Sequence, residues 1–304
     1  MAALNYATEY SRALSQKFPY VLNFGALYST PNNGRYRWVN AKTIEIPSIT
    51  TTGRVNGDRD SIAQAARHYD NAWESKTLSN ERKWSTLVHP MDVQQTNMVT
   101  TIANITQVFN EEQKFPEMDA YTVSKIYADY AALGKDIDDT VVTSSNILSI
   151  FDEMMLKMDN KRVPVTGRVL YVTNELSYVL KDLQTIVRNF NVQSNNKTVD
   201  RQVSRIDEVE IIPVPAELMK TAYDFTEGWT PDVSAAQINM LLIHPNVVIT
   251  PVSYTFAQLE APSALSEGKW VYYEESFEDV FILNKKASAI QFNITAGSGT
   301  TTTT

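Results

Sequence analysis

The sequence predicts an α+β fold with one long two-stranded arm, and three observations carry that expectation. Two extended runs flank a turn-rich stretch between residues 36 and 89, and neither run has an apolar face. Helical stripes and short apolar runs alternate through the rest of the 304 residues. A hydrophobic content of 43% supplies one large core or two medium ones.

The leader, residues 1–35, reads as a short helix ending near Phe18-Pro19, then a turn at Pro31-Asn32-Asn33-Gly34. The arm rises through Tyr36–Pro47 and returns through Trp73–Val88. On period-2 alternation one returning face holds Trp73, Ser75, Thr77, Ser79, Glu81, Lys83, Ser85 and Leu87. The other mixes Leu78 and Trp84 with Glu74, Lys76 and Arg82. Both faces are half polar, so neither can be buried against the chain's own core. A strand of about 15 residues reaches roughly 50 Å at ~3.3 Å per residue, whereas a compact domain of this length has a radius of gyration of only about 19 Å. The arm is therefore expected to outreach its core and to need a neighbour. Thr50–Asp58, between the strands, is rich in turn formers and is expected to form a mobile tip.

Pro90-Met91-Asp92 opens a helix, with Asp92 expected as N-cap and Gln95 completing a variant capping box. Met98, Ile102, Ile105 and Phe109 form the packing stripe of this spine helix, which should run to about Gln113, roughly 32 Å at ~1.5 Å per residue. Pro116-Glu117-Met118-Asp119 then restarts a helix that Gly134 ends. A third helix, Ser145–Met158, puts Ile147, Phe151, Met154, Met155 and Met158 on one broad apolar face. After the Pro164–Gly167 turn, Arg168–Val172 reads as a strand and Asn174–Phe190 as a helix. Val209–Val214 and Ile238–Ile243 suit buried strands, and Trp270–Tyr273, Asp279–Asn284 and Ser288–Ile294 add three more. From Thr295 the chain is too polar to pack, and 295–304 is expected to be a disordered tail.

Composition narrows the function. A net charge of −8 argues against nucleic-acid binding as the main job, because phosphate contacts need clustered Lys and Arg. Residues 1–89 hold 11 Lys or Arg against 7 Asp or Glu, a balance of +4; residues 90–304 hold 16 against 28, a balance of −12. That asymmetry favours arm-to-body contact between copies, with chance scatter of solvated charge as the other reading. The absence of cysteine excludes disulfides, thiolate metal sites and thiol catalysis. No apolar run approaches the ~20 residues needed to cross a bilayer, so no membrane partner is expected.

No residue is assigned to catalysis, to a cofactor or to a metal. His68, His89 and His244 stand apart, and the common phosphate-cradling and nucleophile motifs are missing. Asp136, Asp138 and Asp139 read as a solvated loop rather than a Ca²⁺ site. Glu111, Glu112, Glu117 and Asp119 could supply a carboxylate pair, but Glu111 and Glu112 diverge by ~100° on a helix and Glu117 and Asp119 suit a first-turn dipole role. The arm carries the candidate assembly residues: Trp38, Trp73 and Trp84 as anchors or as part of the chain's own core, and the cations Arg54, Arg59, Lys76, Arg82 and Lys83.

These segments together resemble the major capsid proteins of tailed bacteriophages, of the type found in siphophages of Gram-positive hosts, with the Hong Kong 97-like fold. The resemblance rests on Leu78–Arg82 running into Val88–Thr96, on Phe115–Tyr121 with Ser124-Lys125, on Pro164–Val172 and on Phe277–Lys285, in that order and spacing. It implies an N-terminal arm over 1–35 and an extended loop over 36–89. It also implies a peripheral domain from 90–115 and 261–294 that includes the spine helix, and an axial domain over 116–260. Such subunits form pentamers and hexamers that close an icosahedral shell around double-stranded DNA, with the extended loop laid over the adjacent subunit. Assembly in the bacterial host cytoplasm, portal and head-completion partners, and a separate scaffolding protein are further expectations, the last because only about 35 residues precede the loop. A nanocompartment shell of the same fold and an enzyme using Glu117 and Asp119 are the competing readings.

Overall fold

The computed structural model describes residues 20–54, 67–96, 100–182 and 205–295. The leader helix ending near Phe18, Arg59 and the part of the arm tip after residue 54, Met98, the second half of the 174–190 helix and the tail after Thr295 lie outside those residues.

The arm is a three-stranded antiparallel sheet in the order β1 (Arg37–Asn40), β2 (Thr43–Thr51), β3 (Tyr69–Thr77). Its long ladder runs from Thr43 opposite Thr77 to Thr51 opposite Tyr69. Ile44 is the sole buried residue of these strands. The returning strand is not continuous to Val88. It breaks at Leu78–Asn80, and β4 (Glu81–Val88) joins a different sheet. The alternation pattern gives no sign of this break because Leu78 fits either register. In the fold Leu78 turns inward onto Ile44, Ile249, Phe277 and Phe281, and the Ser79 amide donates to the Asp279 carboxylate instead of a strand.

The spine differs from expectation in two places. Helix α2 (Pro90–Gln95) is capped by His89, whose Nδ1 accepts from the Met91 amide at 3.1 Å, and Asp92 sits in the first turn instead of at the cap. Proline explains the shift: it lacks an N–H, suits the first helical position and keeps the residue before it extended. A new helix, α3 (Ile102–Phe109), starts from Thr101, so the stretch after Pro90 is not one helix. Nor does a helix restart at Pro116. From α3 the backbone passes through a π-helical turn at Asn110–Lys114 into α4 (Phe115–Ala132), with helical angles at each junction. A proline inside an α-helix clashes with the carbonyl four residues back; the widened turn just before Pro116 relieves it. Gly134, at φ 61°, ends the helix.

The body is a sheet between two helices. After α5 (Ile147–Asn160) come β5 (Val169–Thr173), α6 (Asn174–Asp182), β6 (Arg205–Ile206) and β7 (Val209–Val214). A small pair, β8 (Tyr223–Asp224) and β9 (Thr230–Pro231), precedes β10 (Gln237–Ile243). The sheet order is β15-β10-β5-β7-β6, where β15 is Ile290–Thr295, and only β5 and β7 run parallel. Alternate residues serve opposite faces. Tyr171, Leu241, Ile243 and Phe292 pack with Val123, Ile126 and Tyr130 of α4. Leu170, Val172, Met240 and Leu242 pack with Ile147, Phe151, Met154 and Met158 of α5. Coverage on both faces is why these strands read as unbroken apolar runs.

The remaining strands are β11 (Val248–Ile249) and β14 (Phe281–Ile282), which pair with each other, and β12 (Val252–Glu260) and β13 (Trp270–Glu278), which form a sheet in the order β12-β13-β4. The C-terminal strands β13, β14 and β15 thus divide among three sheets. The strand expected over Asp279–Asn284 shrinks to Phe281–Ile282, because Asp279 and Val280 turn inward and Asn284 opens a 3₁₀ turn.

Near the start of the described chain, Asp119 on α4 is fully buried and accepts from the Tyr20 hydroxyl and from the amides of Asn23 at 2.8 Å and Phe24 at 3.2 Å. Burial pushes its carboxyl above the usual range, against the pull of those hydrogen bonds. The contacts hold helix α1 (Gly25–Tyr28) in place and seat Phe24 on Tyr171, with ring centroids 4.4 Å apart. Asp119→Ala strands these buried donors and should cost about 2–3 kcal/mol in urea denaturation of the unassembled chain. A loss below about 0.5 kcal/mol would show the anchor to be dispensable.

Candidate assembly interface

Three elements meet where the arm leaves the body. Asp279, 2% exposed, accepts from the Ser79 amide at 2.8 Å, the Ser79 hydroxyl at 3.1 Å, the Tyr121 hydroxyl at 2.7 Å and the Val280 amide at 2.8 Å. Beside it, Arg82 of β4 binds Glu117 of α4 at 2.5 Å and the Phe225 carbonyl at 2.6 Å. Lys114 of the π turn binds Glu274 of β13 at 3.0 Å. Trp84 stacks flat on Phe109 with centroids 3.8 Å apart and leans on Tyr272. Arg82, Trp84, Phe109, Lys114, Glu274 and Asp279 help line a cleft of about 440 Å³ at the root of the arm.

Beyond the root one face of the arm is open to solvent, while Ile46, Ser48 and Glu74 on the other border a groove shared with Leu283 and Lys285. Pairing of Pro47 with Trp73, Ile49 with Asn71 and Thr51 with Tyr69 puts Pro47, Ile49, Tyr69 and Trp73 on one face. Ile49 is 68% exposed, Tyr69 55% and Trp73 44%. The Arg37 guanidinium lies 3.8 Å over the Trp73 ring and also binds Glu45. Trp38, 40% exposed, lies on the other face with its ring edge toward Tyr36. A second uncovered surface is the side of the β12-β13-β4 sheet turned away from α3, where Tyr254 stacks with Phe256 and Leu87 is 60% exposed.

The structure therefore separates the residues chosen from sequence. Trp38 and Trp73 stand free on the arm, and Arg54 is exposed near its tip. Lys76 turns back to Glu74 and to the Asn284 side chain. Arg82 and Trp84 are spent on the chain's own joint, while Lys83 is exposed on the outer face of the second sheet. On the spine, Ile102, Ile105 and Phe109 are all only half-buried. The choice from sequence passed over Ile49, Tyr69, Tyr254 and Phe256. The period-2 spacing of Tyr254 and Phe256 was the available signal.

The acidic residues serve the fold. Glu117 is held by Arg82 and Asp119 by the leader, so the pair faces no common space. Asp138 accepts from Thr140 and Asn293; burial raises its carboxyl, but those bonds outweigh it and hold the group below the usual range. Among the described residues no group of three potential ligands could hold a metal ion. No described helix is long and apolar enough to cross a membrane.

No protein-family model and no curated protein matches the sequence. Solved structures do match, over nearly the whole chain. The capsid structure of cyanophage P-SCSP1u superposes with a TM-score of 0.69 at 11% identity, covering 96% of this chain and 94% of that one. The mature capsid of bacteriophage PhiM1 gives 0.66 at 13% identity, covering 97% and 93%, and a structure from Mycobacterium phage Che8 gives 0.63 at 10%, covering 96% and 98%. At these identities the likeness is one of fold: the chain has the α+β fold of phage capsid structures.

Glu278 borders the root cleft, where burial, Glu117 and Asp279 push its carboxyl up and Lys114 pulls it down. A carboxyl raised by folding takes its proton first in the folded state, so its ionisation lowers stability as pH rises through the folded value. Glu278→Gln should accordingly be more stable than the wild type at neutral pH, and the difference should vanish as pH falls toward the ordinary carboxylate range. Denaturation midpoints across that range test it, and a constant difference would rule it out. In the same assay Trp84→Ala should cost about 2–3 kcal/mol through its lost stack, and Trp73→Ala less than about 0.5 kcal/mol.

Proposed function

We propose that the protein is the major capsid protein of a tailed phage, closing as pentamers and hexamers into an icosahedral shell around double-stranded DNA. The observation that carries this reading is coverage: capsid chains from several phages match this fold over 93% or more of both partners. The exposed arm supports it, because an apolar strip with no cover in its own chain needs a second copy. In this reading residues 1–35 are an N-terminal arm and 36–89 the extended loop laid on the adjacent subunit. The spine helix and C-terminal strands form the peripheral domain and 116–260 the axial domain, in a Hong Kong 97-like arrangement. Assembly takes place in the host cytoplasm with a separate scaffolding protein, and portal and head-completion proteins finish the particle.

Two experiments test the reading. Deleting residues 50–72 should leave a cooperatively folding body that no longer closes shells in electron micrographs, with or without scaffolding protein; normal particles from the deletion would overturn the role given to the arm. Trp73→Ala, with little effect on the isolated chain, should reduce shell yield, since a truncated interface aromatic commonly costs more than about 1 kcal/mol per contact. Particles filled with protein cargo and lacking DNA would point instead to a nanocompartment.

A further inference from the structure

The chain is acidic, yet one region of its surface is basic without compensation. Lys161 and Arg162 follow helix α5, Lys285 and Lys286 lie in the 3₁₀ turn before β15, and Arg35 precedes the arm. All five are exposed. Two grooves that share Lys285 and Lys286 collect them: one of about 270 Å³ with Lys161, Arg162 and His244, the other with Arg35. Among the described residues the sole carboxylate lining either groove is Glu74, which is ion-paired with Lys76. Among the described residues none of the five cations has a carboxylate within ion-pair distance. Lys285 and Lys286 reach only the carbonyls of Ile49 and Asn246.

Ordinary structural roles explain part of this cluster. Cations after a helix C-terminus complement its dipole, which accounts for Lys161 and Arg162 but not for three cations from other elements. Arg162 also holds φ at 60°, in the left-handed region where glycine is the usual choice after a helix. A charged side chain stands here where the backbone favours none, and strain of this kind gathers at functional positions. Burial, with Arg168 and Lys286 close by, holds the His244 imidazole below its usual range, in keeping with a positive local potential.

We infer that this basic groove is a sequence-independent binding surface for the phosphate backbone of nucleic acid. Protein–protein interface cores are depleted in Lys and enriched in aromatic side chains. The groove beside α5 has the opposite character: among the described residues it holds three lysines, one arginine and no Phe, Tyr or Trp. Such a surface offers charge without base readout, as backbone contacts do. The net charge of −8 excludes strong binding by the chain as a whole; it does not exclude a local contact that tethers DNA weakly. This goes beyond the capsid reading, which requires only that DNA be enclosed.

Titrating the full-length, unassembled chain with a short labelled DNA duplex at a series of salt concentrations tests the inference without reference to shell formation. Each phosphate contact adds about −0.9 to the slope of log affinity against log salt, so a fourfold rise in salt weakens binding about 3.5-fold per contact. Lys285→Ala with Lys286→Ala should flatten the slope by about 2, while Lys83→Ala, on a different surface, should leave it unchanged. Arg162→Gly relieves the backbone and should raise the thermal midpoint yet still weaken DNA binding. Unchanged slopes in the double variant, or DNA binding in Arg162→Gly equal to the wild type, overturn the inference. So does poly-glutamate binding as tightly as the duplex with the same dependence on Lys285 and Lys286, which would make the groove a site for an acidic protein.

Discussion

The Asp279 carboxylate takes four hydrogen bonds from three parts of the chain, and the direction of the arm depends on them. Two come from Ser79, where the returning strand leaves one sheet for another. One comes from Tyr121 on α4 and one from the neighbouring Val280 amide. A buried carboxylate is costly unless its lone pairs are filled, and here the donors that fill them can do so only if arm, helix and C-terminal strand meet at fixed angles. Leu78 follows into the small cluster beneath with Ile44, Phe277 and Phe281. The arm is aimed by this joint, since its own strands bury almost nothing.

That arrangement divides the molecule energetically. The five-stranded sheet, covered by α4 on one face and α5 on the other, holds most of the buried apolar residues and sets the stability of the chain. The arm contributes hydrogen-bonded ladder without burial, which places it at the low end of local stability. Its exposed Ile49, Tyr69 and Trp73 are a liability in an isolated chain; under the proposed assembly the same surface would leave water. Between them, Arg82, Lys114, Glu117, Glu274 and Glu278 form a half-buried ionic layer around the root cleft. Charges in such a layer fix geometry more than they add stability, because partial desolvation offsets much of their attraction.

Much of the body was legible in the residues. Val209–Val214 and Ile238–Ile243 suited buried strands, and the Ile147–Met158 stripe gave its helix face directly, with Ile150 the one buried position passed over. Caps and joints were not legible. Asp92 looked like a cap, but Pro90 moved the helix start to His89. Pro116 looked like a new beginning, but a π turn carried the helix through it. Trp84 read as an interface anchor or as part of the chain's own core, and in the fold it stacks on Phe109, because β4 had left the arm. In each case the local signal was real, and a partner distant in sequence decided its use.

The sequence by itself determined the α+β class, the alternation that dresses each face of the central sheet, and the presence of an arm with no face of its own. These follow from periodicity, which is local and survives without knowledge of neighbours. The tertiary structure alone decided where the returning strand breaks, which cations are paired and which stand free, and which aromatics remain exposed. Those outcomes depend on hydrogen bonds such as Ser79 to Asp279, whose members lie 200 residues apart, and no pattern along the chain records which distant donor a buried carboxylate will find.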